Sequence, residues 1–244
     1  MKLTEKLHNR LDREYRHLSK RELLPLDSFW KKLYYSARII DTTEKYLAKE
    51  AETRIDKLNL KKEARKNFII NCITATEVYF KDFVKTLPEV NEEIKHGEGL
   101  KDLLKNKDKA NLWEAYEIFK ESDFRLGDIL ISYYSFQNLA DIDHVMSKLL
   151  NTKFLDSIDN YLLKLDDQDK DFFNVDTIVM KKNYPEWRKY LAEIFELRHD
   201  YVHHINFKDK LGYQRVVKLF YNLCAFITVA DDFILENYVP IPEG

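Results

Sequence analysis

The chain is poor in the residues that break regular structure. Its 244 residues hold only 5 glycines and 5 prolines. Turn-rich all-β architectures need many more of both, so the scarcity points to long helices joined by few loops. Cysteine is nearly absent as well. Cys72 and Cys224 sit in apolar, helix-like surroundings, and their spacing fits no zinc or redox motif. Two buried free thiols suit a reducing compartment. No apolar run follows Met1, so a secretory signal is not expected. The longest uncharged apolar run, Leu219 to Ala230, falls short of the roughly 20 residues a membrane span needs, and reads as a core helix. A phosphate-cradling glycine loop, a glycine-flanked nucleophilic serine and a catalytic cysteine setting are all missing. These absences lead us to expect a cytoplasmic protein without membrane attachment.

What is present fits that expectation. Hydrophobic residues make up 45% and charged residues 34%, enough for both a sizeable core and a solvated surface. The formal net charge is -2, but it is unevenly spread. Residues 1–66 carry 18 Lys and Arg against 11 Asp and Glu, and the remainder carries 22 against 31. The basic first part suits either attraction of RNA phosphates or ordinary solvated helix faces.

Periodicity divides the chain into helices. Residues 3–22 place Leu3, Leu7, Leu11 and Leu18 near one face, and Pro25 is expected to end that helix. A second helix is expected from Asp27, as N-cap, to about Leu58. Residues 60–87 form the clearest amphipathic pattern, with Leu87-Pro88 as its stop. Residues 88–110 read as a loop with short helical pieces. Further short helices are expected over 111–121, 123–137, 138–150 and 154–165. The acidic run 166–171 reads as a solvated connector rather than a calcium loop, since it lacks the required Gly and distal Glu. Pro185 fits the first turn of a helix reaching about Ile205, and Asp209 is expected to start the last helix. The expected fold class is all-α: a multi-helix bundle, with 1–58 an N-terminal helical extension packed on a helical domain spanning 59–240.

Two charges interrupt apolar stripes. Arg198 lies in phase with Leu191, Ile194, Tyr201 and Ile205; Glu77 lies in phase with Ile70, Ile73, Phe80 and Val84. A buried ion is costly unless paired, so Glu77 and Arg198 are expected to face each other or share a polar cleft. Such a pair serves either helix packing or chemistry. Three of the 7 histidines, His199, His203 and His204, cluster beside Arg198. His199 and His203 are four apart, as are Asp200 and His204, a spacing that also suits metal ligation or plain surface residues. Tyr133, Tyr134 and Phe136 suit base stacking or, more simply, the core. His8, His17, His96 and His144 lie in polar contexts.

The stretch Leu197-Arg198-His199-Asp200-Tyr201-Val202-His203 resembles the motif of the HEPN superfamily: an Arg, a polar residue, then a His after four to six positions. Here four residues intervene and the polar follower is His199. The helix around Ile73-Thr74-Ala75-Thr76-Glu77-Val78-Tyr79-Phe80 resembles the first core helix of these domains, which often carries an acid. The order of parts is similar too. The resemblance covers about residues 60–238 and leaves 1–58 without a counterpart. It implies a HEPN-like core, and RNA cleavage without metal or other cofactor. In that chemistry the 2′-hydroxyl attacks the adjacent phosphate. His203 would be the acid/base and Arg198 the phosphate clamp. Glu77 would orient Arg198, and His199 or Asp200 would assist. The residue types suit this: an imidazole ordinarily titrates near 6.5, and a guanidinium offers a charged fork to phosphate. Arg198 and His203 differ by about 140° around a helix, so they do not stack directly. HEPN proteins solve this by dimerising, and their layout suggests a bacterial defence or toxin system. The partners implied are therefore RNA, a second copy of the chain and an antitoxin or defence partner. A helical interaction protein that retains the fold without catalysis is the alternative.

Overall fold

The computed structural model describes residues 25–47, 53–105, 126–204 and 211–240. They form an all-α multi-helix bundle around one hydrophobic core. In chain order the elements are α1 (Pro25–Thr42), a π-helical turn (Thr43–Leu47), α2 (Arg54–Val90), α3 (Glu92–His96), α4 (Glu98–Lys105) and α5 (Leu126–Tyr133). Then follow α6 (Leu139–Leu149), α7 (Phe154–Asn160), β1 (Leu163–Lys164), α8 (Asp167–Phe173), β2 (Thr177–Ile178), α9 (Met180–Asn183), α10 (Trp187–His203) and α11 (Tyr213–Tyr238). The two strands pair antiparallel over two residues each, with Leu163 opposite Ile178. No helix among the described residues is long and apolar enough to cross a membrane.

Helix α2 is the axis of the bundle. Its 37 residues extend about 55 Å. It packs against α1, α5, α10 and α11. Its start is set locally: the Thr53 side chain accepts from the Asp56 backbone N–H at 3.1 Å, a Thr-x-x-Asp N-cap. Beyond the exposed first turns, Phe68, Ile69, Cys72, Ile73, Phe80 and Val84 are buried. Phe80 gathers aromatic rings from three other places: Phe136 between α5 and α6, Phe154 of α7 and Phe226 of α11, with centroids 5.9 to 6.3 Å away. Trp187 of α10 stacks on Phe226 at 5.0 Å, and its indole N–H donates to Asp159. Both cysteines are buried and not joined in a disulfide, and burial pushes the Cys72 thiol up. The apolar run from Leu219 to Ala230 lies in the middle of α11, mostly buried.

Several boundaries differ from the expectations. Pro88 lies inside α2, not beyond its end; it forgoes its own bond to the Val84 carbonyl, but the helix continues to Val90 and is closed by the Asn91 N–H donating to the Leu87 carbonyl at 3.0 Å. Asn91 then ends α2 and caps α3. Pro25 lies in a helix, and Asp27 sits in its first turn rather than at its N-cap. The expected single helix to Leu58 is interrupted by the π turn and by the Thr53 cap. Position 58 therefore lies within α2, and a cut there would divide one helix. Within residues 25–47, Phe29, Trp30, Leu33, Ala37 and Ile40 are buried in the same core as the rest.

The acidic run also corrects the reading. Asp166 caps α8 by accepting from the Asp169 N–H at 2.8 Å, and the helix consumes the run expected to be a loop. Pro185 lies in the turn before α10, whose N-cap is Glu186, and α10 ends at His203. The helices expected over 3–22 and 111–121, and the start at Asp209, lie outside the described residues. Of the three aromatics considered for stacking, Phe136 and Tyr134 are buried and Tyr133 is exposed.

Candidate functional site

Arg198 and Glu77 face each other across α10 and α2. On α10, Leu191, Ile194 and Tyr201 are buried, and Arg198 follows Ile194 by one turn on the same face. On α2, Ile73, Phe80 and Val84 are buried around Glu77. Both charged side chains are largely covered, with 15% of Arg198 and 12% of Glu77 exposed. Their closest atoms, Arg198 Nη2 and Glu77 Oε1, are 3.6 Å apart. That is an ion pair but too long for a hydrogen bond.

A third residue completes the group. Arg198 Nη1 donates to Gln137 Oε1 at 3.1 Å. Gln137 lies between α5 and α6, in a segment fixed on both sides. Phe136 before it is buried against Phe80, one turn from Glu77. Asn138 after it caps α6 by accepting from the Asp141 N–H at 2.7 Å. Further back, the Tyr134 hydroxyl donates to the Leu103 carbonyl. An exposed glutamine is thus held over the guanidinium by an anchored backbone. Sequence periodicity could not find it, because Gln137 stands outside any helix.

Even with Gln137, the arrangement is incomplete. Arg198 Nε and Glu77 Oε1 are buried without a hydrogen-bond partner among the described residues. Both unpaired atoms are themselves sealed from solvent, so an anion could meet Arg198 only through the 15% of its side chain that is exposed, not through Nε.

The histidines form a separate group on the other side of α10. His199, His203 and His204 are exposed. The His199 and His203 rings have centroids 4.6 Å apart, tilted by 45°. His204 lies 6.1 Å from His199, and its Nε2 is 3.7 Å from Asp200 Oδ1. Asp200 is therefore directed towards His204. So the structure brings Glu77 to Arg198, and His199 to His203, while the five-residue spacing keeps Arg198 and His203 on different faces. Among the described residues, no group of three or more His, Cys, Asp and Glu stands where it could hold a metal ion.

Fold and site together define an all-α bundle with a largely covered Arg–Glu pair next to an exposed histidine cluster. Comparison with family models, with curated proteins and with solved structures finds no match.

Proposed function

We propose that this chain is a metal-independent endoribonuclease of the HEPN type. It would work as a homodimer in the cytoplasm, in a defence or toxin system where an antitoxin or defence partner restrains it. The observation that carries the reading is Arg198, held between Glu77 and Gln137 beside the histidine cluster with part of its side chain still exposed. In this reading Arg198 binds the scissile phosphate and stabilises the charge that grows on its oxygens. His203 takes the proton of the attacking 2′-hydroxyl or returns one to the leaving oxygen. The products are a cyclic phosphate and a 5′-hydroxyl. Glu77 holds the guanidinium in place. The His199 ring lies tilted beside that of His203, and Asp200 assists only through His204, the group it faces.

The different faces of Arg198 and His203 call for a second copy, so that the two motifs line one cleft. Exposed apolar residues support such a face: Val78 follows Glu77, Val202 is one turn beyond Arg198, and Tyr133 precedes the Gln137 segment.

A second reading is favoured by one observation. Arg198 already has Glu77 and Gln137 as partners, as a packing device in a non-catalytic interaction protein would. One experiment separates the two. The purified chain is incubated with end-labelled RNA in chelator, beside Arg198→Ala and His203→Ala. Cleavage to cyclic-phosphate ends, lost in both variants, is the expected result. Variants that cut like the parent, or a parent that cuts no RNA, would overturn the ribonuclease reading.

A further inference from the structure

We propose that His199 and His203 form a two-histidine site for a late first-row divalent cation, Cu2+ before Zn2+, at the C-terminal end of α10. The proposal goes beyond the ribonuclease reading and does not rest on it.

Four observations carry it. Both rings are exposed, so an ion from solution reaches them without any opening of the fold. They stand one helical turn apart with centroids 4.6 Å apart. Two nitrogens, each about 2 Å from one ion, lie roughly 3 Å from each other, within reach of these rings by small side-chain rotations. His203 is the last residue of α10, so the ion would sit at the negative end of the helix dipole, where a cation is stabilised. Asp200, in the same turn, adds a carboxylate charge without being a ligand, since its oxygen faces His204.

The donor set determines the ion. Imidazole suits Cu2+, Zn2+ and Ni2+, whereas Mg2+ and Ca2+ take oxygen ligands. Of the imidazole-preferring ions, Cu2+ binds a given site most strongly. His204 is not a third ligand in this arrangement. The remaining positions are left for water, so the site is an exchangeable one rather than a structural staple. The other described histidines differ: His96 pairs with Glu92 at 3.1 Å, and His144 lies beside the Tyr134 ring. Neither has a second imidazole in contact.

One consequence does rest on the ribonuclease reading. A His203 nitrogen bound to metal cannot carry a proton, so an occupied site would block the acid/base role.

The test is a calorimetric titration of the metal-stripped full chain with CuCl2, ZnCl2 and MgCl2, repeated on His199→Ala, His203→Ala and His96→Ala. The expected result is one Cu2+ per chain, weaker Zn2+ binding and no Mg2+ binding. Each of the first two substitutions should weaken Cu2+ at least about 10-fold, the effect that loss of even an outer contact has on metal affinity. His96→Ala should bind like the parent. Copper electron paramagnetic resonance should show two coordinating nitrogens. No Cu2+ binding, or equal binding by His199→Ala with an unchanged circular dichroism spectrum, overturns the site. A chain that binds Cu2+ as expected yet cuts no RNA supports the site and removes the ribonuclease reading instead.

Discussion

Two polar pairs anchored on α2 stand two residues apart and are built in opposite ways. Tyr79 joins α2 to α11: its hydroxyl donates to Asp231 at 3.1 Å inside the core. Burial, with Asp231 beside it, holds the Tyr79 phenol well above its ordinary value, so the phenol stays neutral. Glu77 joins α2 to α10, but its ion pair is longer, largely but not fully covered, and short of hydrogen bonds. The first pair is closed. Its members meet within the core, and nothing from outside can reach them. The second leaves one donor and one acceptor buried and unpaired, while part of the Arg198 side chain is exposed. Stability favours the closed kind, because an unmade buried hydrogen bond is costly. An open pair is therefore a cost to the fold.

The sharpest way to break this contrast is through activity. Arg198→Ala should lower RNA cleavage by about 10²- to 10³-fold, the cost of losing one preorganised charge-stabilising group. Arg198→Lys should recover little, because a point charge replaces a planar fork. Tyr79→Phe should leave cleavage unaltered in the same assay. If Tyr79→Phe proved as damaging to cleavage as Arg198→Ala, the two pairs would not differ in role.

Stability should show the reverse order. Tyr79→Phe leaves Asp231 without that donor inside the core, and should cost about 1–3 kcal/mol in urea unfolding. Glu77→Gln preserves shape and breaks no hydrogen bond between Glu77 and Arg198, since their 3.6 Å contact makes none. Desolvation of two largely covered ions offsets much of their attraction, so the cost should be about 1 kcal/mol. A larger loss for Glu77→Gln than for Tyr79→Phe would mean that the open pair is the structural one.

Alkaline titration probes the closed side of the comparison without mutation. Burial pushes Tyr184 and Tyr221 up to about 12, and Tyr79 also lies well above its ordinary value. A folded-state value above the unfolded one means stability that is complete below about pH 10. That stability is lost as pH rises from there towards 12. Phenolate absorbance should therefore lag in the folded chain and appear together with unfolding. A full complement of phenolates at pH 11 in a folded chain would contradict it.

The sequence made some of this contrast visible. Glu77 and Arg198 stood out because helical phase placed a charge where a neighbour one turn away is apolar. The physical cost of burying an ion then predicted their meeting. Other features were beyond that logic. The Thr53 cap was readable as Thr-x-x-Asp, but the surrounding helical pattern masked the break at the π turn. Asp166 looked like part of a solvated charge run, although an acid at a helix start is favoured by the dipole. The closed pair was not legible either: Tyr79 passes for another aromatic of the core, and Asp231 lies just beyond the apolar run of α11. Gln137 had no periodicity to betray it, since its place depends on Phe136 being buried under it.

Gln137 gives the smallest and most diagnostic prediction. It is exposed, so Gln137→Ala should cost no more than about 0.5–1.5 kcal/mol, the net worth of one hydrogen bond. A double-mutant cycle with Arg198→Ala should return most of that as coupling, because the two side chains touch. A cycle of Gln137→Ala with Tyr79→Phe should be additive, since no bond links those groups. If Gln137 orients Arg198 for phosphate, Gln137→Ala should also lower cleavage by more than its stability loss explains, and Gln137→Glu should restore the guanidinium contact. Equal coupling in both cycles would show that the α2 pairs share one network, and that the division into a closed and an open pair is wrong.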